Sequence, residues 1–190
     1  MDYEVANRLL EEWGRGERES LDRLMGLVYH ELHRMAAGVL RGESTTNRTR
    51  PTSLVNELYL ELRRQGKLET QGEKHFYSVA SFLMRQILVG HARKRNSQKR
   101  GEGLAPQNFS EVVEKGIHWK DDPEMVIALS DALVKLEEID ATKAAIVDMK
   151  FFADLSVEAM AEALGISERS VNRHWAVARV WLSKELKGRR

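Results

Sequence analysis

The stretch LSVEAMAEALGISERSVNRHWAVARVW, residues 155–181, sets two apolar periods on either side of a glycine. In the first, Val157, Met160, Ala161 and Leu164 recur at three- and four-residue steps, as on one face of a helix. Gly165 follows, the residue that adopts the left-handed backbone at least cost and so ends helices. Ile166 then plugs the corner, and Ser167 is placed to cap a second helix through its hydroxyl. That helix turns Val171, Trp175, Ala178 and Leu182 inward and leaves Arg169, Ser170, Asn172, Arg173 and His174 pointing away. Ala161, Gly165 and Val171 carry the spacing of a helix-turn-helix, with an alanine small enough for the second helix to cross close to it. A purely structural hairpin needs the same buried face, so the outward set decides. Asn and Arg make bidentate contacts to adenine and guanine edges, while Ser and Arg suit phosphates.

Working back toward the N-terminus, the same period returns with little interruption. Tyr3 to Trp13 reads as a short helix closed by Gly14. A longer one spans about Glu17 to Arg41, with Leu21, Leu24, Met25, Val28, Leu32, Met35 and Val39 along one stripe. Pro51, at home in a first turn, starts a third with Leu54, Val55, Leu58, Tyr59 and Leu62 inward. A fourth runs from about Lys74 to Lys99 on a face of Phe76, Val79, Ala80, Leu83 and Ile87. GESTTNRTR and QGKLETQGE separate these as polar loops. Residues 101–125 carry glycines, a proline and no sustained period, which predicts a linker with one short turn around Ser110 to Lys115. Beyond it the pattern resumes over Glu124 to Leu136, Ala141 to Phe152, Val157 to Leu164 and Glu168 to Leu186, with Asp140 and Ser156 as N-caps. No strand-like alternation persists. The expectation is an all-α chain of two small helical domains, residues 1–100 and 126–190, on an acidic tether.

Composition narrows the chemistry. The 190 residues are 42% apolar and 31% charged, with three prolines and no cysteine. That excludes disulfides and thiolate metal sites and fits a reducing cytoplasm. No segment approaches a membrane span, and the start, MDYEVANRLLEEW, is acidic and amphipathic, unlike a signal peptide. The net charge of +1 hides a pattern: six basic and no acidic residues lie between Arg85 and Arg100. Acids then prevail from Gly101 to Met125, and bases again from Arg169 to the end. Two basic blocks around an acidic spacer suggest two polyanion-facing surfaces, the alternative for either block being an ordinary solvated helix face.

Three stretches, PTSLVNELYLELRR at 51–64, HFYSVASFLMRQILVGHARKR at 75–95 and LSVEAMAEALGISERSVNRHWAVARVWL at 155–182, together resemble a bacterial RNA polymerase sigma factor of the extracytoplasmic-function (ECF) group. Their order and spacing cover nearly the whole chain. The resemblance implies a four-helix region-2 domain and a region-4 helix-turn-helix domain. It implies as partners core RNA polymerase and promoter DNA, and it allows an anti-sigma protein, with no cofactor, no metal and no catalytic residue. The helix from Pro51 would dock on the polymerase through Leu54, Asn56, Glu57, Leu58 and Glu61. Many relatives have an Asp-x-x-Gln-Glu-like pattern where this chain has Ser53, Leu54, Val55, Asn56, Glu57. The helix after Lys74 would hold the opened −10 element with Tyr77, Phe82, Arg85, His91, Arg93, Lys94 and Arg95. Opened bases stack on aromatic rings while cations hold the backbone. Phe76 lies on the inward stripe and is expected in the core. Ser167, Arg169, Ser170, Asn172, Arg173, His174 and Arg179 would serve the −35 element, Arg179 toward backbone phosphate or a neighbouring carboxylate.

Other readings are weaker. His30-Glu31-Leu32-His33 brings a zinc helix to mind, but that motif needs histidines four apart, and position 34 is Arg. Neither a phosphate-cradling glycine loop nor a nucleophile elbow is present, so no enzyme is expected. A one-component regulator, with residues 1–100 as sensor or dimer domain, shares the helix-turn-helix and is the main rival. A helical adaptor that binds only protein is a third.

Overall fold

The computed structural model describes residues 3–41, 49–66, 72–98 and 122–187. The two polar loops and the linker expected around 101–125 lie almost entirely outside these residues, including the short turn at 110–115. Within the described residues every regular element is a helix: α1 (Tyr3–Gly14), α2 (Arg18–Val39), α3 (Pro51–Gln65), α4 (Glu73–Gln98), α5 (Pro123–Ile139), α6 (Ala141–Phe152), α7 (Val157–Leu164) and α8 (Glu168–Lys187). None is long and apolar enough to cross a membrane.

Local chemistry sets most of the boundaries. Pro51 occupies the first turn of α3, where its missing N–H costs nothing. The Asp122 carboxylate accepts from the backbone N–H of Glu124 (3.0 Å) and Met125 (3.3 Å) and opens α5. Asp140 accepts from the Lys143 N–H at 2.9 Å, and Ser156 from the Ala159 N–H at 3.2 Å, opening α6 and α7 as expected. α5 begins at Pro123, inside the stretch read as linker, because its cap and first-turn proline precede the apolar period.

The α2 stripe is buried throughout, with Leu21, Leu24, Val28, Leu32 and Met35 at or near zero exposure. Each such side chain removed from water contributes about 1.5–3 kcal/mol. α1 adds Leu9, Leu10 and Trp13, and α3 adds Leu54, Val55, Leu58 and Leu62. α4 departs from the expectation. Besides Phe76, Ala80 and Leu83 it buries Ser81, Met84, Arg85, Leu88, Val89 and Ala92, while Val79 and Ile87 are half-buried. One stripe cannot account for that set. α4 is the central helix: it packs on α1, α2 and α3 with one side and on α5, α6 and α7 with the other. The buried apolar residues of both halves form one continuous cluster.

Candidate nucleic-acid interface

The turn between α7 and α8 is built as its sequence requires. Gly165 sits at φ 64°, in the left-handed region. Its N–H donates to the Glu162 carbonyl at 3.3 Å, and the Ile166 N–H donates to the Ala161 carbonyl at 3.1 Å. This double closure satisfies carbonyls that would otherwise be orphaned at the helix end. Met160 and Ala161 of α7 are buried against Val171, Ala178 and Leu182 of α8, while Val157, Leu164 and Ile166 are half-buried. The Ser167 hydroxyl accepts from the Ser170 N–H at 3.2 Å and lies 3.0 Å from the Ser170 hydroxyl. Both hydroxyls are thus engaged in the cap, and Ser170 is half-buried. Trp175, expected inside, is only half-buried, its ring 5.7 Å from Phe151 and 5.4 Å from the Lys150 ammonium.

Arg169, Asn172, Arg173 and Arg179 are exposed and make no ion pair among the described residues. His174 is half-buried, near Asp140, whose carboxyl is held below its usual range chiefly by Lys143. Val177 and Val180, 51% and 53% exposed, continue the outer surface of α8. Sequence reasoning missed them, although both fall off the inward stripe, which is a readable signal.

α4 presents a different picture. Arg85 is 0% exposed, so it is not the open cationic contact that its sequence context suggests. Its Nε lies 2.7 Å from the Asp148 carboxylate of α6, and a terminal nitrogen donates to the Ser130 hydroxyl of α5 at 3.2 Å. The guanidinium also lies 5.0 Å from the centre of the Phe82 ring, which is half-buried. Burial pushes the Asp148 carboxyl up to about 7, against the pull of Arg85. Phe82 lines a cleft of about 180 Å³ between α4 and the second half, with Ser78, Val79, Glu137, Ala144 and Asp148.

The remaining α4 candidates lie nearer solvent. Tyr77 is half-buried, its ring edge-on to buried Phe76 at 5.8 Å. Arg93 and Lys94 are exposed, Arg93 being 3.8 Å from Asp131 of α5, and Arg95 is half-buried. The His91 ring is 2.8 Å from the Glu57 carboxylate of α3 and 3.4 Å from the Thr49 hydroxyl. Two residues assigned to different partners therefore meet each other.

On α3, Leu54 and Leu58 are fully buried in the α2–α4 core and offer no docking surface. Asn56 is exposed, and Glu61 is bound by Arg64 at 2.7 Å, which holds its carboxyl below the usual range. Leu60, 61% exposed, is the apolar residue that α3 does present. It breaks the inward stripe and was legible for that reason. In the HELH stretch, Glu31 is taken by Arg34 and His33 lies beside Tyr29.

A protein-family model described as ECF sigma factor matches residues 3–188. No curated protein and no solved structure matches the chain.

Proposed function

The chain belongs to the ECF sigma factor family, and from that premise we propose that it binds core RNA polymerase and directs initiation by reading −10 and −35 promoter elements. The observation that carries this reading is the extent of the family match, which includes both basic helices and everything between them.

In this mechanism α8 enters the major groove of the −35 element. Arg169, Asn172 and Arg173 share its exposed surface, and their side chains have the donors and acceptors for base edges. Arg179 lies further along and serves phosphate. α4 handles the opened −10 strand: Arg93 and Lys94 neutralise backbone phosphates, and Tyr77 offers a ring for a base. Polymerase docking uses Asn56, Leu60 and Glu61 on α3, an exposed apolar side chain flanked by polar ones. An anti-sigma protein would be a further partner of the same surfaces.

The test is transcription in vitro. Core polymerase with the purified chain should start at defined sites that core polymerase alone ignores. Tight operator binding without polymerase, and no transcript from the mixture, would instead establish a one-component regulator.

A further inference from the structure

The cleft of about 180 Å³ beside α4 takes no part in the proposed promoter contacts. Val79 and Phe82 of α4 line it together with Ala144 and Ala145 of α6, and the small alanine side chains leave the space. An apolar cavity of about 150 Å³ takes a benzene ring. This cleft therefore has room for a ring-sized body and a little more.

Three polar groups converge on the same space. Ser78 contributes a hydroxyl, Glu137 an exposed carboxylate near the end of α5, and Asp148 a carboxylate that is only 6% exposed. Among the described residues no hydrogen bond or ion pair engages Ser78 or Glu137. Arg85 lies against Oδ1 of Asp148 at 2.7 Å, and no described residue donates a hydrogen bond to Oδ2. Buried polar groups are satisfied in nearly all folded chains. A buried carboxylate on a cleft wall with an oxygen to spare calls for a donor from outside.

Charge decides the kind of donor. Arg85 and Glu137 are the charged groups that act on the Asp148 carboxyl, the first lowering and the second raising it. Two carboxylates against one guanidinium leave one negative charge in excess. An anion would meet Glu137 and Asp148 head-on, and a dication would overshoot. A single ammonium restores neutrality, and its three N–H groups match the three acceptors. We propose that this cleft binds a small primary amine with an apolar body. Its ammonium sits between Glu137, Asp148 and the Ser78 hydroxyl, and its body lies against Val79, Phe82 and the α6 alanines. The site is separate from α8 and from Arg93 and Lys94, so its test needs neither DNA nor polymerase.

Benzylamine is the probe. Calorimetric titration into the full-length chain at pH 8, above the Asp148 value of about 7, should give saturable one-to-one binding. Benzyl alcohol, of similar shape without the charge, and benzoate, of opposite charge, should each bind at least about tenfold more weakly, equivalent to about 1.4 kcal/mol. Ala145→Leu fills the cleft and should abolish benzylamine binding while circular dichroism keeps its helical signal. Glu137→Gln, at an exposed position, should weaken benzylamine about tenfold. Asp148→Asn should do the same, and if that chain fails to fold, Ala145→Leu and Glu137→Gln decide. Equal affinity for the amine and the alcohol would reduce the cleft to an apolar hole and overturn the inference. Binding that survives Ala145→Leu would place the amine elsewhere and overturn it as well. So would the lack of any saturation by about 10 mM benzylamine.

Discussion

α4 and α8 are both basic helices, and they are in opposite states. On α8 the cations Arg169, Arg173 and Arg179 face solvent, because α5, α6 and α7 cover only the Val171, Ala178 and Leu182 side. On α4 a second layer of helices covers the side opposite the core, and Arg85 goes in with it. The same residue type thus becomes a surface group on one helix and a buried ion on the other. A helix surface is available for recognition only if nothing else in the chain has packed on it, and charge alone does not reveal that.

The largest expected effect breaks the buried side of this comparison. Asp148→Leu leaves the Arg85 guanidinium in the interior with no carboxylate, only Ser130 and the Phe82 ring, and a guanidinium cannot shed its proton. The folded chain should lose about 3–5 kcal/mol in urea unfolding. Arg85→Met should cost less, since the Asp148 carboxyl can take up a proton instead. The double variant should recover most of the loss. Equal losses for the two single variants would contradict this asymmetry.

The next effect depends on pH. Burial raises the Asp148 carboxyl from 3.8 to about 7, opposed by Arg85 and reinforced by Glu137. The folded chain therefore holds that proton more tightly than the unfolded chain does. Its contribution to stability is full below about pH 4, is lost as pH rises toward 7, and is level above that. Urea midpoints measured at pH 5 and pH 8 should differ in that sense, and Asp148→Asn should flatten the difference.

On the open side, Arg173→Ala should reduce discrimination at one −35 base pair by about 1–3 kcal/mol in competition binding. A uniform loss on all sequences would assign Arg173 to phosphate instead. The smallest effect belongs to Lys94→Ala, which should weaken DNA binding regardless of sequence and lower the salt slope by about one. A sequence-dependent loss there would make α4 a base reader like α8.

Much of the fold was legible because its determinants are local. Every described helix was expected within a few residues of its observed bounds, and the caps at Asp140, Ser156 and Ser167 hold as read. The turn at Gly165 needs only the Ala161, Gly165 and Ile166 spacing. The α8 set is correspondingly exposed, apart from His174 and Ser170, which are half-buried. The α3 and α4 sets are less exposed, with Leu54, Leu58 and Arg85 buried. Leu54 and Leu58 belong to the core by the same stripe that made them conspicuous, while Leu60 carries the exposure.

By itself, then, the sequence determined an all-helical chain, its helix boundaries and the family to which it belongs. All of these follow from contacts between residues a few positions apart and from their order along the chain. Only the tertiary structure decided which basic surface stays open. That outcome depends on α5 and α6 returning across α4, with Asp148 beneath Arg85. Those contacts join residues far apart in sequence, and such packing is set by shape and by the balance of desolvation against charge. Periodicity records neither.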